Sequence, residues 1–184
     1  NGILQSVFSA IEIAVWDARG KILEVPSSQL MSNNCRKEIP LYASSGTVIF
    51  SPNEIIKDIE NISNLGYTAY KMRVGYQDWA TDIKRVESAR SVFSDNDIMV
   101  DAIMGTLRPA WNSDKAISRA KDLVDFNLRW LEEPVHPQNI KGLAEVCHSG
   151  LIPIAAGEAY SGSGEYQSIL DLQAVNVLQF DATH

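Results

Sequence analysis

The sequence predicts an α/β fold, specifically a partial (β/α)8 barrel of the TIM type with about six of the eight strands. Short β-rich runs alternate with helical patterns along the chain at a spacing of roughly 25–30 residues, which is typical of parallel βαβ units. No Gly-x-Gly-x-x-Gly follows the first β-rich run, which disfavours a dinucleotide-binding doubly wound sheet. Acidic residues close the last four runs, and barrel enzymes place their chemistry at the carboxyl ends of their strands.

The chain begins with a helical pattern, and from Pro40 onward short β-rich runs replace it. Apolar residues recur with helical spacing over residues 4–22, and Gly20 and Pro26 are expected to end that segment. The runs after Pro40 are rich in apolar and β-branched residues. They predict six strands, at residues 41–43, 68–74, 98–101, 130–132, 152–156 and 175–180.

Polar-faced helical patterns fill the intervals between the strands. The first begins at Ser51-Pro52, a capping signal with proline in the first turn. Ser113 is the expected N-cap of the third helix, and Gly150 is expected to stop the fourth. The predicted helices cover residues 52–65, 78–93, 113–126, 137–148 and 164–172.

Composition and charge exclude several classes of protein. A net charge of -7 argues against nucleic acid as a partner, because a surface that follows phosphates needs a basic face. No apolar run approaches the ~20 residues of a membrane span, so no membrane association is expected. Cys35 and Cys147 are too few and too far apart for a disulfide framework or a zinc site, so we expect free thiols in a cytoplasmic protein.

The strand ends carry a repeated chemical feature. A carboxylate closes each of the last four predicted strands, at Asp101, Glu132, Glu158 and Asp181. A single such residue is most often a helix N-cap or a solvated loop residue, but four in succession are hard to assign to chance. Converging carboxylates repel one another unless a cation compensates, and an all-oxygen cluster suits Mg²⁺. The pattern therefore predicts a magnesium site.

Two basic residues precede this series on the second predicted strand. Lys71 and Arg73 are two residues apart, so their side chains point to the same face of the strand. They would add positive charge beside the metal, as a small anionic substrate requires.

These residues resemble the enolase superfamily, in particular its mandelate racemase/muconate lactonising enzyme branch, over nearly the whole chain. Residues 9–17 resemble the helix that joins the branch's N-terminal capping domain to its barrel. Lys71-Met72-Arg73 resembles the Lys-x-Lys motif of the second barrel strand. Three segments resemble the metal-ligand motifs: Val100-Asp101, Leu131-Glu132-Glu133-Pro134 and Gly157-Glu158.

The resemblance implies different roles for the acidic residues at the strand ends. It implies that Asp101, Glu132 and Glu158 bind Mg²⁺, with Glu133 in a supporting role. Residues 179–183 are similar to the sixth-strand segment whose aspartate, here Asp181, orients a catalytic histidine on the seventh strand.

The resemblance also implies which parts of such an enzyme this sequence contains. Residues 1–38 would be the helix and connector from an N-terminal capping domain, and residues 39–184 the partial catalytic barrel. The capping domain, the last two strands and the catalytic histidine are expected to lie outside the sequence, so the chain alone is expected to be inactive. Family members often associate, so we expect a homo-oligomer.

One departure from the family pattern bears on substrate recognition. The third-strand motif usually continues as Asp-x-Asn, but here it continues with Ala102-Ile103. Thr106 or Arg108 in the following loop can replace the lost polar contact. His136, just after the fourth strand, and Tyr160, just after Glu158, are further candidates for substrate contact.

The shared reaction of the branch is abstraction of the proton alpha to a carboxylate, with Mg²⁺ stabilising the charge that develops. Arg73 replaces the second lysine of many members, and a guanidinium is a poor base at neutral pH. We therefore expect a lyase that dehydrates a sugar acid or related hydroxy acid. The alternatives are a racemase, epimerase or other isomerase of the same branch and, from another class, an inactive fragment or an α/β binding module.

Overall fold

The computed structural model describes residues 3–181 and confirms the α/β fold. Within those residues, six strands form one open parallel sheet in the order β1-β2-β3-β4-β5-β6. A helix lies between each successive pair of strands. Sequential parallel strands joined by helices are the arrangement of a partial TIM-type barrel.

The predicted elements are present, and four of the six strands are shorter than expected. The strands are β1 Ala43–Ser44, β2 Ala69–Arg73, β3 Asp97–Asp101, β4 Trp130–Glu132, β5 Ile154–Ala156 and β6 Val177–Leu178. The helices are α1 Ile3–Leu23, α2 Ser27–Met31, α3 Pro52–Asn64, α4 Trp79–Val92, α5 Ser113–Leu123, α6 Ile140–His148 and α7 Ser163–Asp171. A 3₁₀ turn, Val124–Phe126, follows α5. None of the helices in the described range is long and apolar enough to cross a membrane.

The helix ends at Gly20 and Ser113 differ from the sequence-based expectations, and the helix predicted over residues 137–148 begins only at Ile140. Gly20 does not end α1, which runs on to Leu23. A Cβ at Gly20 would lie 2.8 Å from the carbonyl oxygen of Val25, so the glycine instead permits the chain to fold back closely after the helix. The N-cap of α5 is Asn112 rather than Ser113, because the Asn112 side chain accepts a hydrogen bond from the Lys115 amide.

The chain divides into two compact units. The described part of the first contains residues 3–40 and 180–181, and the second is Leu41–Gln179. In the first unit, α1 and the short α2 are connected through the Ser27 hydroxyl, which donates to the Trp16 carbonyl. The second unit contains the whole sheet and its helices.

Alternation along the strands gives the sheet of the second unit two different faces. Outward residues such as Tyr70, Val100 and Leu131 pack with the helices in the main hydrophobic core. A smaller apolar layer lies on the opposite face, which is the barrel interior. Its members are Ala69, Met99, Trp130, Ala155 and Val177, one from each of β2 to β6. Residues two positions further along these strands lie on the same face at the carboxyl ends, where the site begins.

Candidate active site at the strand ends

A polar layer lies directly above the interior apolar layer. Lys71, Asp101 and Glu132 are each two residues beyond a member of that apolar layer, so their side chains also enter the barrel interior. Nζ of Lys71 lies 2.6 Å from Oε1 of Glu132 and 3.4 Å from Oδ2 of Asp101. The sheet thus brings one cation and two carboxylates, from three adjacent strands, into contact.

The protein holds each carboxylate by its second oxygen as well. The indole N–H of Trp130 donates to Oε2 of Glu132 at 3.1 Å, and the Ile103 amide donates to Oδ1 of Asp101 at 2.8 Å. All three charged side chains are buried, with Glu132 fully so. Such satisfied, buried charges are held in one geometry before any ligand arrives.

Burial and charge change the proton affinities of the layer. Burial lowers the pKa of Lys71, but Asp101 and Glu132 outweigh it, so the pKa is raised above its usual value and the ammonium stays charged. Burial first, and then the charge of Glu132, raises the pKa of Asp101 to about 6. The site therefore holds more negative charge than Lys71 neutralises, which is the condition that favours an additional cation.

Glu133 is a buried acid to which sequence reasoning gave only a supporting role. Its backbone is left-handed, with φ +42, and its side chain is 6% exposed. Burial first, and then the charge of Glu158, raises its pKa to about 7. Its Oε1 has no hydrogen-bond partner within the described residues. The signal for it was the Glu-Glu pair itself: Glu132 ends β4 inside the barrel, and Glu133 follows it with a left-handed backbone.

Glu158 lies in an exposed turn just after β5. Its charge contributes to the raised pKa of both Asp101 and Glu133, which places it on the same side of the barrel. In residues 3–181, no group of three or more His, Cys, Asp or Glu side chains has a geometry that could hold a metal. The set of Asp101, Glu132 and Glu158 as metal ligands therefore stays a prediction.

The residues present nevertheless fit a divalent cation of the magnesium type. Asp101 and Glu132 supply carboxylate oxygens, which are the donors that Mg²⁺ prefers. The ammonium of Lys71 already sits between them as a bound positive charge. The unpartnered Oε1 of Glu133 adds a further oxygen acceptor in the same region of the strand ends.

Arg73 and Asp181 are the other predicted catalytic residues. Arg73 ends β2, opposite Asp101 in the strand register, and is half-buried. Its amide donates to the Gly46 carbonyl at 3.0 Å. Asp181 is half-buried and belongs to the first unit. The remainder of its sequence motif, residues 182–183, lies outside the described part of the chain.

The four candidate substrate contacts lie in the loops that follow β3, β4 and β5. Thr106 is exposed and its hydroxyl donates to the Ile103 carbonyl at 3.0 Å. Arg108 is exposed and lies against half-buried His136, with Nη2 3.2 Å from Nε2. Tyr160 is buried, and its hydroxyl donates to the Pro137 carbonyl.

A buried ion pair that sequence reasoning missed supports the ends of β1 and β2. Arg85 on α4 is fully buried and lies 2.7 Å from Oδ1 of Asp82. Asp82 also accepts from the Gly75 amide at 2.8 Å. The Arg85 guanidinium donates to three backbone carbonyls at the strand ends, those of Gly46, Thr47 and Arg73. Positions 82, 85, 86 and 89 face the core together, so the helical period was the available signal.

Comparison with known proteins gives one family match. The model of the family described as Enolase C-terminal domain-like matches residues 54–184. Among curated proteins, the chain is 29% identical over 184 residues to L-talarate/galactarate dehydratase of Salmonella typhimurium. It is 32% identical over 158 residues to 3,6-anhydro-alpha-L-galactonate cycloisomerase of Streptomyces coelicolor, and 29% identical over 170 residues to N-succinyl-L-Arg/Lys racemase of Bacillus cereus.

The matched region covers nearly all of this chain but less than half of each relative. It takes in 99%, 85% and 91% of this chain, against 45%, 42% and 44% of the three relatives. The chain thus spans about half the length of the curated relatives it matches.

Solved structures agree with the sequence matches. An enolase from Bradyrhizobium, complexed with magnesium and mandelic acid, superposes with a TM-score of 0.88 at 26% identity. That alignment covers 100% of this chain and 49% of the other. A racemase from Streptomyces coelicolor with bound magnesium superposes with a TM-score of 0.89 at 27% identity, covering 97% of this chain and 52% of the other.

Proposed function

This chain belongs to the Enolase C-terminal domain-like family, and we propose that the full-length protein is a Mg²⁺-dependent enzyme that abstracts the proton alpha to a carboxylate. The observation that carries the proposal is the contact among Lys71, Asp101 and Glu132 at the carboxyl ends of β2, β3 and β4. Buried, oriented charges of both signs at that end of a barrel suit a reaction in which negative charge develops on a small substrate.

Asp101, Glu132 and Glu158 are the residues that would hold the metal. Bound there, Mg²⁺ would supply positive charge that stabilises the substrate carboxylate as it gains electron density. Three of the solved structural neighbours contain magnesium, which supports the choice of metal.

The basic residues have separate roles in the proposal. Lys71 binds and stabilises the developing negative charge from the barrel interior, and its raised pKa keeps it protonated for that task. Arg73 binds a carboxylate or hydroxyl of the substrate, because a guanidinium does not give up its proton at neutral pH. Asp181 orients a histidine that takes or returns the α-proton.

The reaction we favour is dehydration of a sugar acid or related hydroxy acid. Loss of the α-proton is followed by departure of the β-hydroxyl as water, which leaves an enol that becomes a 2-keto acid. L-Talarate/galactarate dehydratase and D-gluconate/D-galactonate dehydratase are among the curated relatives. An isomerase of the same branch is the second candidate, because cycloisomerases and a racemase are also among them.

A library of aldaric and aldonic acids, incubated with the full-length protein and Mg²⁺, distinguishes these reactions. Formation of a 2-keto product from at least one acid is expected. Exchange of the α-proton with inversion and without a 2-keto product would replace the dehydratase by the racemase. If no acid in the library gave a 2-keto product or exchanged its α-proton, the proposed abstraction of that proton would be contradicted.

Substitution Arg73→Met tests the role given to the guanidinium. Loss of a charged hydrogen bond to substrate should reduce kcat/KM by about ten-fold or more. Unchanged turnover would show that Arg73 does not bind the substrate.

A further inference from the structure

Two loops meet at the carboxyl face of the barrel, next to the acidic strand ends. The loop after β3 and the loop after β4 approach closely at Gly105. A Cβ placed there would lie 3.2 Å from Oε2 of Glu133 and 3.4 Å from Cγ of Pro137. Pro137 in turn receives the hydrogen bond from Tyr160 in the loop after β5. Three successive strand-end loops are thereby packed together.

Arg108 and His136 stand side by side in this loop cluster, and we call them the rim pair. Arg108 is held in place by its Nη1, which donates to the carbonyls of Leu107 at 2.8 Å and Gly105 at 3.3 Å. Its Nη2 points to Nε2 of His136 at 3.2 Å. The guanidinium is thus oriented by its own loop, with one nitrogen directed at the imidazole.

The two polar neighbours of the His136 imidazole cannot both form hydrogen bonds with it. Nε2 faces an N–H of Arg108, and Nδ1 faces the Gln138 amide N–H at 3.2 Å. Both neighbours are donors, but a neutral imidazole has only one acceptor nitrogen and an imidazolium has none. In every protonation state, at least one of these contacts therefore sets a donor against a donor. An acceptor oxygen that bridges Nη2 of Arg108 and Nε2 of His136 from the side removes the conflict, because both nitrogens can then donate to it while Nδ1 accepts from the Gln138 amide.

From this geometry we propose that the rim pair binds a second anionic group of the substrate, a carboxylate at the end remote from the α-carbon. The proposal rests on the proposed function and narrows its substrate class to diacids. Asp101, Glu132, Glu133 and Glu158 lie at the strand ends, and their charge repels a second carboxylate. Arg108 supplies the compensating charge at the rim, and its planar donors match a carboxylate.

The test compares acids that differ only in the second carboxylate. Binding of galactarate and galactonate, and of glucarate and gluconate, is measured by calorimetry in Mg²⁺ with the full-length protein. At least one diacid should bind about ten-fold or more tightly than its monoacid. Substitutions Arg108→Gln and His136→Gln should each weaken diacid binding while changing monoacid binding by less than about two-fold, and Arg108→Lys should recover part of the loss.

Arg129→Gln is the matched control, because Arg129 is an exposed arginine that precedes β4 at the opposite end of the strand and pairs with Asp97. It should leave the diacid preference unchanged. The rim site is overturned if no diacid is preferred, or if the preference survives both Arg108→Gln and His136→Gln.

Exchange of the α-proton in D₂O, followed by NMR on the same acids, separates this proposal from the proposed function. Exchange without a diacid preference contradicts the rim site alone. A diacid preference that depends on Arg108, without exchange of any acid, supports the rim site and contradicts the enzymatic proposal.

Discussion

Nζ of Lys71 lies 2.6 Å from Oε1 of Glu132, although 61 positions separate the two residues in sequence. The contact joins β2 to β4 across the intervening β3, whose Asp101 also approaches the ammonium. Taking these charges out of water is costly, and a buried ion pair often stabilises a fold no more than apolar residues would. The buried charges are therefore better explained by the binding site that they form at the strand ends than by a contribution to stability.

Substitution Lys71→Met should destabilise the protein in magnesium-free buffer. It removes the cation between Asp101 and Glu132 and leaves two buried carboxylates uncompensated, at an expected cost of about 3–5 kcal/mol. Urea unfolding in EDTA measures that cost. Addition of Mg²⁺ should recover more stability in the variant than in the wild type. Lys71→Arg, which retains the charge, is the control, and equal unfolding midpoints for Lys71→Met and wild type would contradict the interpretation.

Of the two aspartates on β3, only the one at the carboxyl end of the strand should contribute to magnesium affinity. Asp101 closes the strand inside the barrel, whereas Asp97 opens it and pairs with exposed Arg129. Asp101→Asn should weaken Mg²⁺ binding by about 100-fold, since removing even a supporting group costs 10–100-fold. Asp97→Asn removes the same charge from the same strand and should have little effect. Equal losses measured by calorimetry would mean that net charge, and not a site, governs binding.

The metal-free protein should lose stability as the pH rises from about 4 to about 7. The folded state raises the pKa of Asp101 to about 6 and that of Glu133 to about 7. In this range the folded state binds more protons than the unfolded state, so the free energy of unfolding falls with rising pH. The protein in EDTA should be more stable at pH 5 than at pH 8 by about 4 kcal/mol.

Glu133→Gln supplies the check on this pH dependence. The amide cannot ionise, so urea midpoints of the variant should vary less between pH 5 and pH 8 than those of the wild type. An identical pH profile in both proteins would show that Glu133 titrates normally in the folded state.

The sequence predicted the order of the elements and the charged strand ends because both depend on local pattern. Strand alternation places Lys71 and Asp101 in the barrel interior, and their contact with Glu132 follows from the parallel register. Periodicity does not indicate that two loops meet, so the contact between Arg108 and His136 could not be predicted. The short helix Ser27–Met31 was also missed, because its five residues carry too little pattern.

The ion pair between Asp82 and Arg85 shows a different limit. Charged residues in a helix are normally read as its solvated face, but this pair faces the sheet. The burial of the pair is explained by the backbone carbonyls to which Arg85 donates, and these belong to residues up to 39 positions away. The need of these carbonyls for a hydrogen-bond donor is not visible in a sequence pattern.

Arg85→Met should destabilise the protein by about 3–5 kcal/mol, because it leaves Asp82 buried without its partner and removes donors from three carbonyls. Chemical denaturation measures the change. Lys84→Met removes a positive charge from an exposed position of the same helix and should change stability by less than about 0.5 kcal/mol. A similar effect of both substitutions would contradict a structural role for the buried pair.

Gly157→Ala should disturb the position of Glu158 through the backbone. Gly157 has φ +140, and a Cβ there would lie 1.8 Å from the carbonyl oxygen of Gln179. The backbone at Gln179, just after β6, would therefore have to move. The cost should be about 2–4 kcal/mol in stability, accompanied by weaker Mg²⁺ binding if Glu158 is a ligand. Gly164→Ala is the control, because α7 leaves open space at that position. A loss of stability with unchanged Mg²⁺ affinity would remove Glu158 from the ligand set while leaving the packing argument intact.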